Sequence, residues 1–291
     1  MELTVAEIRR AVRAALAEDL GRGDVTTLAT VPAAAKSVAL LNAREPLVVA
    51  GLQFVEIAFQ EVAAQYARGA GARIQFKRLA RDGQHLKAGQ PLLKISGSSR
   101  ALLTAERVAL NFIQRLSGVA TATARFATLI KDTRARILDT RKTTPGWRRF
   151  EKYAVACGGG KNHRVGLFDM VLIKDNHLVA LQNEKPNAIA AAVQRARKKY
   201  PRLKIEVEAD TLLQVAQAAA AGADIILLDN MPLATLRRAV KIIGGRALTE
   251  ASGGVNLKTV RAIARTGVDY ISVGAITHSA GAVDIGLDFL A

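Results

Sequence analysis

The sequence predicts an α/β protein in two parts, an N-terminal α+β domain with a partly antiparallel sheet and then repeated βα units on a parallel sheet. Three observations carry that expectation. Short strand-like runs crowd the region from 37 to about 95, with one helical pattern among them. After residue 130, six apolar runs alternate with helical stretches, and the last four begin 22, 22 and 23 residues apart, enough for strand, loop and helix. The 291 residues are 50% hydrophobic but only 4% aromatic, so Ala, Val, Leu and Ile carry the core, which suits helices packed on a parallel sheet.

The elements follow in order. Thr4 and Glu7 form a capping-box pattern, and Val5, Ile8, Val12, Leu16 and Leu20 recur at helical spacing until Gly21. Strands are expected at Val38–Leu41, Leu47–Val49, Arg73–Arg78 and Pro91–Ile95, separated by turn residues such as Asp82-Gly83. A helix over Leu52–Tyr66 interrupts them, and a longer one from Ser99 to about Leu116 leads away. The second series of strands is Arg136–Leu138, Met170–Ile173, Leu203–Val207, Ile225–Leu228, Ala247–Thr249 and Tyr270–Val273. Helices over Ala188–Lys199, Leu212–Ala221, Leu233–Ile242 and Leu257–Arg265 lie between them. The segment 221–228 is echoed at 266–273, each reading as helix end, glycine, aspartate, strand. Such units indicate a parallel sheet closing as a barrel, with a seventh or eighth strand near residue 118 or 155. An open doubly wound sheet has the same local pattern.

Charge narrows the partners. The net charge is +17, and residues 131–164 alone carry ten Lys or Arg against three acidic groups. Such a field draws polyanions or small phosphorylated and carboxylated substrates. Aromatic poverty and the lack of any nucleic-acid module count against nucleic acid. A single cysteine, Cys157, excludes an intrachain disulfide and a cysteine-based zinc site. The first residues show no signal-peptide pattern, and charges or prolines interrupt every apolar run, so a soluble, cytoplasmic protein with no membrane association is expected.

The chemistry is expected where barrel strands end. The strand ends read Asp139-Thr140-Arg141-Lys142, Lys174-Asp175-Asn176-His177, Glu206-Val207-Glu208, Asp229-Asn230, Glu250 through Gly254, and Gly274-Ala275. Cations, carboxylates and two glycine-containing loops at one rim describe a site for an anionic substrate with a metal ion. Ser252-Gly253-Gly254 reads either as a tight turn or as a backbone cradle for phosphate, and its late position favours phosphate. Lys174, directly after an apolar strand, reads as an inward amine rather than a solvated one. Glu208 and Asp229 could pair with lysines, but beside a phosphate site they suit Mg²⁺, held directly or through water. His163 alone would be a surface histidine; with Arg164 it points to carboxylate recognition. His85, His177 and His278 lack ligand spacing, and Cys157 reads as a small buried residue.

Taken together the motifs resemble one family. Asp-Thr-Arg-Lys-Thr-Thr-Pro-Gly at 139–146, Glu-Lys-Tyr-Ala-Val at 151–155 and Gly-Gly-Gly-Lys-Asn-His-Arg-Val-Gly-Leu at 158–167 are followed by Leu-Ile-Lys-Asp-Asn-His at 172–177. Glu-Val-Glu at 206–208, Leu-Leu-Asp-Asn at 227–230 and Ala-Ser-Gly-Gly at 251–254 complete the order. This resembles quinolinate phosphoribosyltransferase, the carboxylating nicotinate-nucleotide pyrophosphorylase family. Further matches at 18–27, 110–118 and 273–279 extend the likeness over nearly the whole chain. Trp147 stands where a smaller aliphatic residue is expected, and Lys161 at a variable position.

The resemblance implies an N-terminal α/β sandwich (1–115, joined by 276–291) beside an incomplete, about seven-stranded α/β barrel (116–275). It implies condensation of quinolinate with phosphoribosyl pyrophosphate to nicotinate mononucleotide, pyrophosphate and CO₂, for NAD biosynthesis. Arg107, Arg141, His163, Arg164 and Lys174 match the family's quinolinate-binding residues, Lys142 matches a basic residue that serves the substrate anions, and Thr140 is counted among the substrate-binding residues. Glu208 and Asp229 match its acidic pair near ribose and Mg²⁺. Ser252, Gly253 and Gly254, with Val273, Gly274 and Ala275, match the loops taken to hold the ribose 5-phosphate. Lys142, Lys174, Glu208 and Asp229 are the implied catalytic groups, in a homodimer, or a larger assembly of it, whose active sites are shared. The alternatives are a Schiff-base lyase using Lys174 and a basic nucleic-acid-binding protein.

Overall fold

The computed structural model describes residues 2–66 and 73–290, which divide into two compact units. In chain order the first holds α1 (Val5–Leu20), α2 (Val25–Thr30), β1 (Lys36–Ala43), β2 (Leu47–Val48) and α3 (Leu52–Tyr66). It continues with β3 (Gln75–Arg78), β4 (His85–Leu86), β5 (Pro91–Ser98) and the long α4 (Ser99–Leu129), of which residues after Ala122 belong to the second unit. The second unit opens with β6 (Arg136–Leu138). Then α5 (Arg148–Cys157) returns, but for its first residue, to the first unit. Next come β7 (Val171–Ile173), α6 (Asp175–Val179), α7 (Ala188–Lys199), β8 (Ile205–Ala209), α8 (Leu212–Ala220) and β9 (Ile225–Asp229). After α9 (Leu233–Ile243), β10 (Leu248–Ser252), α10 (Val260–Ala264), β11 (Tyr270–Ser272) and α11 (Ala275–His278), the chain ends its course in β12 (Ile285–Leu290), again in the first unit.

The first unit is built on an antiparallel sheet ordered β12-β1-β5-β3, with β2 and β4 paired separately. The capping box predicted for α1 forms: the Glu7 N–H donates to Thr4 Oγ1 and the Thr4 N–H to Glu7 Oε2. Alternation along β1 buries Ala39, Leu41 and Ala43. The helix expected to stop near Leu116 continues to Leu129. Ser117 Oγ and Thr121 Oγ1 accept the backbone N–H groups of Ala50 and Val48, and these buried bonds override the low helix propensity of a Ser-Gly-Val-Ala-Thr stretch. Gly118 is required there, since a Cβ would lie 2.0 Å from the Gly281 carbonyl oxygen.

The division differs from the expected one. The first unit reaches Ala122, takes up 149–159 and gains the last segment only from Ala280. The cause is the packing of α5. Phe54 stacks against Phe112 at 5.0 Å and meets Phe150 edge-on at 5.1 Å, while Glu151, wholly buried, pairs with Arg115 at 2.6 Å. Tyr153 Oη donates to Asp82. The partners of α5 lie 36 positions away at Arg115, 71 at Asp82 and farther still at Phe54, beyond the reach of local pattern.

The second unit carries six parallel strands ordered β6-β11-β10-β9-β8-β7. Among the described residues β6 and β7 do not pair with each other, so the barrel is incomplete. A parallel bridge between Leu138 and Lys161 stands where a further strand would be, whereas residues 118 and 155 lie in α4 and α5 and supply none. Ile225 to Leu228 of β9 are all buried, as both faces of a covered parallel sheet require. No described helix is long and apolar enough to cross a membrane.

Candidate functional site

A cavity of about 720 Å³ opens at the C-terminal ends of the second unit's strands. Strand geometry explains its lining. Side chains two apart share a face, so Glu206 and Glu208 of β8 point the same way, as do Glu250 and Ser252 of β10. In each pair the deeper carboxylate is buried, at 0% and 1% exposure, and the outer residue is half-buried at the rim. Asp229 is the last residue of β9 and Lys174 follows β7 directly. The loop after β6 brings Thr140, Arg141 and Lys142, and the residues after β11 bring Val273, Gly274 and Ala275. Thr277 Oγ1 donates to the Lys142 carbonyl, tying α11 to that loop.

The cations are placed for an anion. Arg141 and Arg164 line the cavity, and the Nε of each is buried without a hydrogen-bond partner. Burial and the neighbouring Arg141 charge hold the Arg164 guanidinium below its ordinary value, with Glu206 and Asp169 acting in the opposite sense. Two adjacent guanidiniums with unmet donors call for a ligand bearing more than one negative oxygen. Lys174 Nζ lies 3.1 Å from Glu208 Oε2. An ion-paired ammonium offers no lone pair, so this geometry disfavours a Schiff base.

The segment carrying His163 is held from below. Asp139, fully buried, accepts the His163 N–H at Oδ1 (2.8 Å) and the Asn162 side-chain amide at Oδ2 (2.7 Å). The Arg164 N–H donates to His163 Nδ1 at 2.8 Å. A backbone N–H can only donate, so the ring carries its proton on Nε2, which faces Glu206 Oε2 at 2.9 Å and Glu250 Oε2 at 3.6 Å.

Glu208, Asp210 and Asp229 bring carboxylate oxygens within 4.8 Å of one another. Such a set of oxygens suits a hard divalent cation. Asn230, with φ of 52°, turns back so that its Nδ2 donates to Asp229 Oδ2 at 2.6 Å. Gly253 and Gly254 have φ of 94° and 60°, and a Cβ on Gly253 would sit 2.0 Å from Asn230 Oδ1.

Fourteen of the fifteen residues singled out from the sequence line this one cavity: Thr140, Arg141, Lys142, His163, Arg164, Lys174, Glu208, Asp229, Ser252, Gly253, Gly254, Val273, Gly274 and Ala275. The fifteenth, Arg107, is exposed on α4 in the first unit. Sequence reasoning passed over Asp210, and gave no role to Asn230, His278, Glu206, Glu250 or Asp139. For Glu206 the signal was present, since it lies two residues from Glu208 on one strand. Cys157 is half-buried, and burial pushes its thiol up to about 12, which leaves it unreactive.

Comparison with known proteins agrees with this geometry. The sequence model of the quinolinate phosphoribosyl transferase C-terminal domain matches residues 119–288, and that of the N-terminal domain residues 24–117. The carboxylating nicotinate-nucleotide pyrophosphorylase of Mycobacterium leprae is 43% identical over 284 residues, 96% of each chain. The crystal structure of Streptococcus pyogenes NadC superposes with a TM-score of 0.91 at 39% identity, covering 100% of both chains. The Francisella tularensis nicotinate-nucleotide pyrophosphorylase gives 0.90 at 39% identity, over 99% of this chain and 98% of its own.

Proposed function

The chain belongs to the quinolinate phosphoribosyltransferase family, and from that premise we propose how its own residues carry the reaction. It is a decarboxylating phosphoribosyltransferase of NAD biosynthesis, joining quinolinate to phosphoribosyl pyrophosphate and releasing pyrophosphate and CO₂. The observation that carries the assignment of the site is the pair of buried, unpartnered guanidinium nitrogens on Arg141 and Arg164.

In this reading Arg141 and Arg164 grip the two quinolinate carboxylates, with Lys174 completing the charge. The loops at 273–275 and 252–254 receive the ribose 5-phosphate on backbone N–H groups other than that of Val273, which donates to the Leu138 carbonyl at 2.9 Å. As pyrophosphate leaves, C1 of the ribose becomes electron-poor, and Glu208 and Asp229 stabilise that developing positive charge. Lys142, exposed at the rim, meets the departing pyrophosphate, with Thr140 beside it. The ribosylated pyridine nitrogen is cationic and is the electron sink for loss of the adjacent carboxylate as CO₂, and the electron pair left on that ring carbon then takes up a proton from water. No covalent enzyme intermediate is needed, because positioning and electrostatics do the chemistry. The oxygen donors of Glu208 and Asp229, with Asp210 beside them, fit Mg²⁺, held directly or through water. When bound there it would neutralise charge on the pyrophosphate. Incubating the protein with quinolinate, phosphoribosyl pyrophosphate and Mg²⁺ and following CO₂ release tests the assignment.

Specificity follows from the two guanidiniums. Nicotinic acid carries one carboxylate and would leave a buried cation unpaired, at a cost of about 2–5 kcal/mol. Turnover of nicotinic acid is therefore expected to be negligible beside that of quinolinate, and comparable rates in a parallel assay would refute the two-cation grip.

Arg107 supplies a further expectation. We propose a homodimer in which Arg107 of one protomer reaches the substrate held by the other. The exposure of Arg107 and its match to a family quinolinate-binding residue support this. Mixing inactive Arg107→Ala with inactive Lys174→Ala under subunit exchange should restore part of the activity, since one site of each heterodimer keeps both groups. Verified heterodimers without recovery would assign each site to a single chain.

A further inference from the structure

One residue lining the cavity has no part in the steps above, although it meets two groups that do. Asn230 follows the last residue of β9, and its N–H donates to the Ser252 carbonyl at 2.9 Å, which ties it across to β10. Among the described residues it is the one non-glycine with a positive φ, 52°. Glycine adopts that conformation at least cost, and asparagine bears it better than most side chains. What asparagine adds over glycine is its amide, and the amide is engaged at both ends. Nδ2 donates to Asp229 Oδ2 at 2.6 Å, while Oδ1 stands so near the glycine loop that a Cβ on Gly253 would lie 2.0 Å from it. Reversing the amide would set its oxygen against a carboxylate oxygen, so the donor faces Asp229. The backbone makes this possible. On an extended strand residues 229 and 230 would point to opposite faces, and the left-handed turn brings the amide back to its neighbour.

We propose that Asn230 is a positioning residue for the phosphoribosyl pyrophosphate half of the site, its amide fixing the Asp229 carboxylate against the Gly253 loop. This rests on the reading of Asp229 and the loop at 252–254 as that substrate's partners. A carboxylate at a strand end can turn about two side-chain bonds, and a short N–H donor on Oδ2 selects one rotamer and leaves the other oxygen free of the amide. One side chain thereby joins the group that answers the charge at the ribose to the loop that answers the 5-phosphate. The quinolinate grip is held by other contacts, with the Arg164 N–H on His163 Nδ1 and its Nη1 on the Met170 carbonyl. Loss of the Asn230 amide should therefore be felt by one substrate and not by the other.

The test compares Asn230→Gly, which suits the backbone and removes the amide, with Asn230→Asp, which keeps the shape but turns the donor into a second carboxylate beside Asp229. Steady-state kinetics are run with quinolinate and phosphoribosyl pyrophosphate varied separately, and Asp229→Ala serves as reference. Asn230→Gly is expected to raise KM for phosphoribosyl pyrophosphate about tenfold, to leave KM for quinolinate within about twofold, and to keep Tm within about two degrees. Asn230→Asp should be impaired at least as much. Asn230→Gly combined with Gly253→Ala should lose less than the product of the two single effects, because the amide that the new methyl would strike is gone. An unchanged KM for phosphoribosyl pyrophosphate in Asn230→Gly, an equal rise in both KM values, or an Asn230→Asp protein as active as the unmodified one would overturn the proposal. So would single effects that simply multiply in the double variant. If Asp229→Ala itself left turnover unchanged, the reading of Asp229 and the role of Asn230 would fall together. A large Asp229→Ala effect beside an unaffected Asn230→Gly would remove Asn230 alone.

Discussion

Lys174→Ala is expected to lower kcat by about 10²–10³ while leaving the fold intact. The side chain is 47% exposed, and its recorded partner is Glu208, so its removal opens no cavity in the core. The backbone role of Lys174, whose N–H donates to His177 Nδ1 at the start of α6, survives truncation. Function has no such reserve. Glu208 would be left without its counter-ion at the point where the substrate brings further negative charge. Circular dichroism and Tm should match the unmodified protein, and retention of more than about a tenth of the activity would show that the ammonium is not part of the electrostatic machinery.

The second large effect is expected at Gly253. A methyl group there meets Asn230 Oδ1 at 2.0 Å and the Asn230 nitrogen at 3.0 Å, and the φ of 94° is one that L side chains rarely adopt. Relief requires moving either the glycine loop or Asn230, whose Nδ2 bonds Asp229. Each displacement misplaces a group by an ångström or so, enough to cost about 10² in rate. Gly253→Ala should therefore lose about two orders of magnitude in kcat/KM for phosphoribosyl pyrophosphate, with a Tm drop of a few degrees because the strain is local. Gly254, where a Cβ meets nothing within 4 Å, gives the contrast. An equal loss in Gly254→Ala would mean that backbone conformation rather than the Asn230 collision is decisive.

Much of this site could be read without coordinates, for a physical reason. A parallel strand buried on both faces is a run of apolar residues, so the first polar residues beyond it, such as Lys174 after Ile173 and Asp229 after Leu228, mark the rim directly. The helices over 52–66 and 188–199 were equally plain, since their apolar spacing is local. What escaped depends on distant partners. Asp139 owes its role to a loop 24 residues on, and α5 owes its place to Phe54 and Arg115. The strands sought near 118 and 155 were helical because tertiary bonds to Ser117 and Thr121 and the packing of Phe150 outweighed local propensity. In the sequence Glu250 reads only as part of a strand end. Nothing in its neighbours announces a carboxyl at 1% exposure, since burial on that scale is a property of the whole interior.

The last strand of the first unit carries a consequence for how the chain folds as it is made. β12 pairs with β1 along six residues, and Asn42 bonds Asp288 across 246 positions of sequence. The second unit, by contrast, lies between residues 123 and 279, and apart from β6, which pairs with β11, its strands pair with their neighbours in sequence. During synthesis the later half can therefore acquire its sheet while the earlier half still waits, with one edge of β1 unpaired, for residues 285–290 to leave the ribosome. The order of maturation runs against the order of translation, and the slow step is the long-range closure of β12 on β1. An exposed β1 edge is also where another copy's β12 could dock, so nascent chains stalled before residue 285 present the protein's natural point of misassembly.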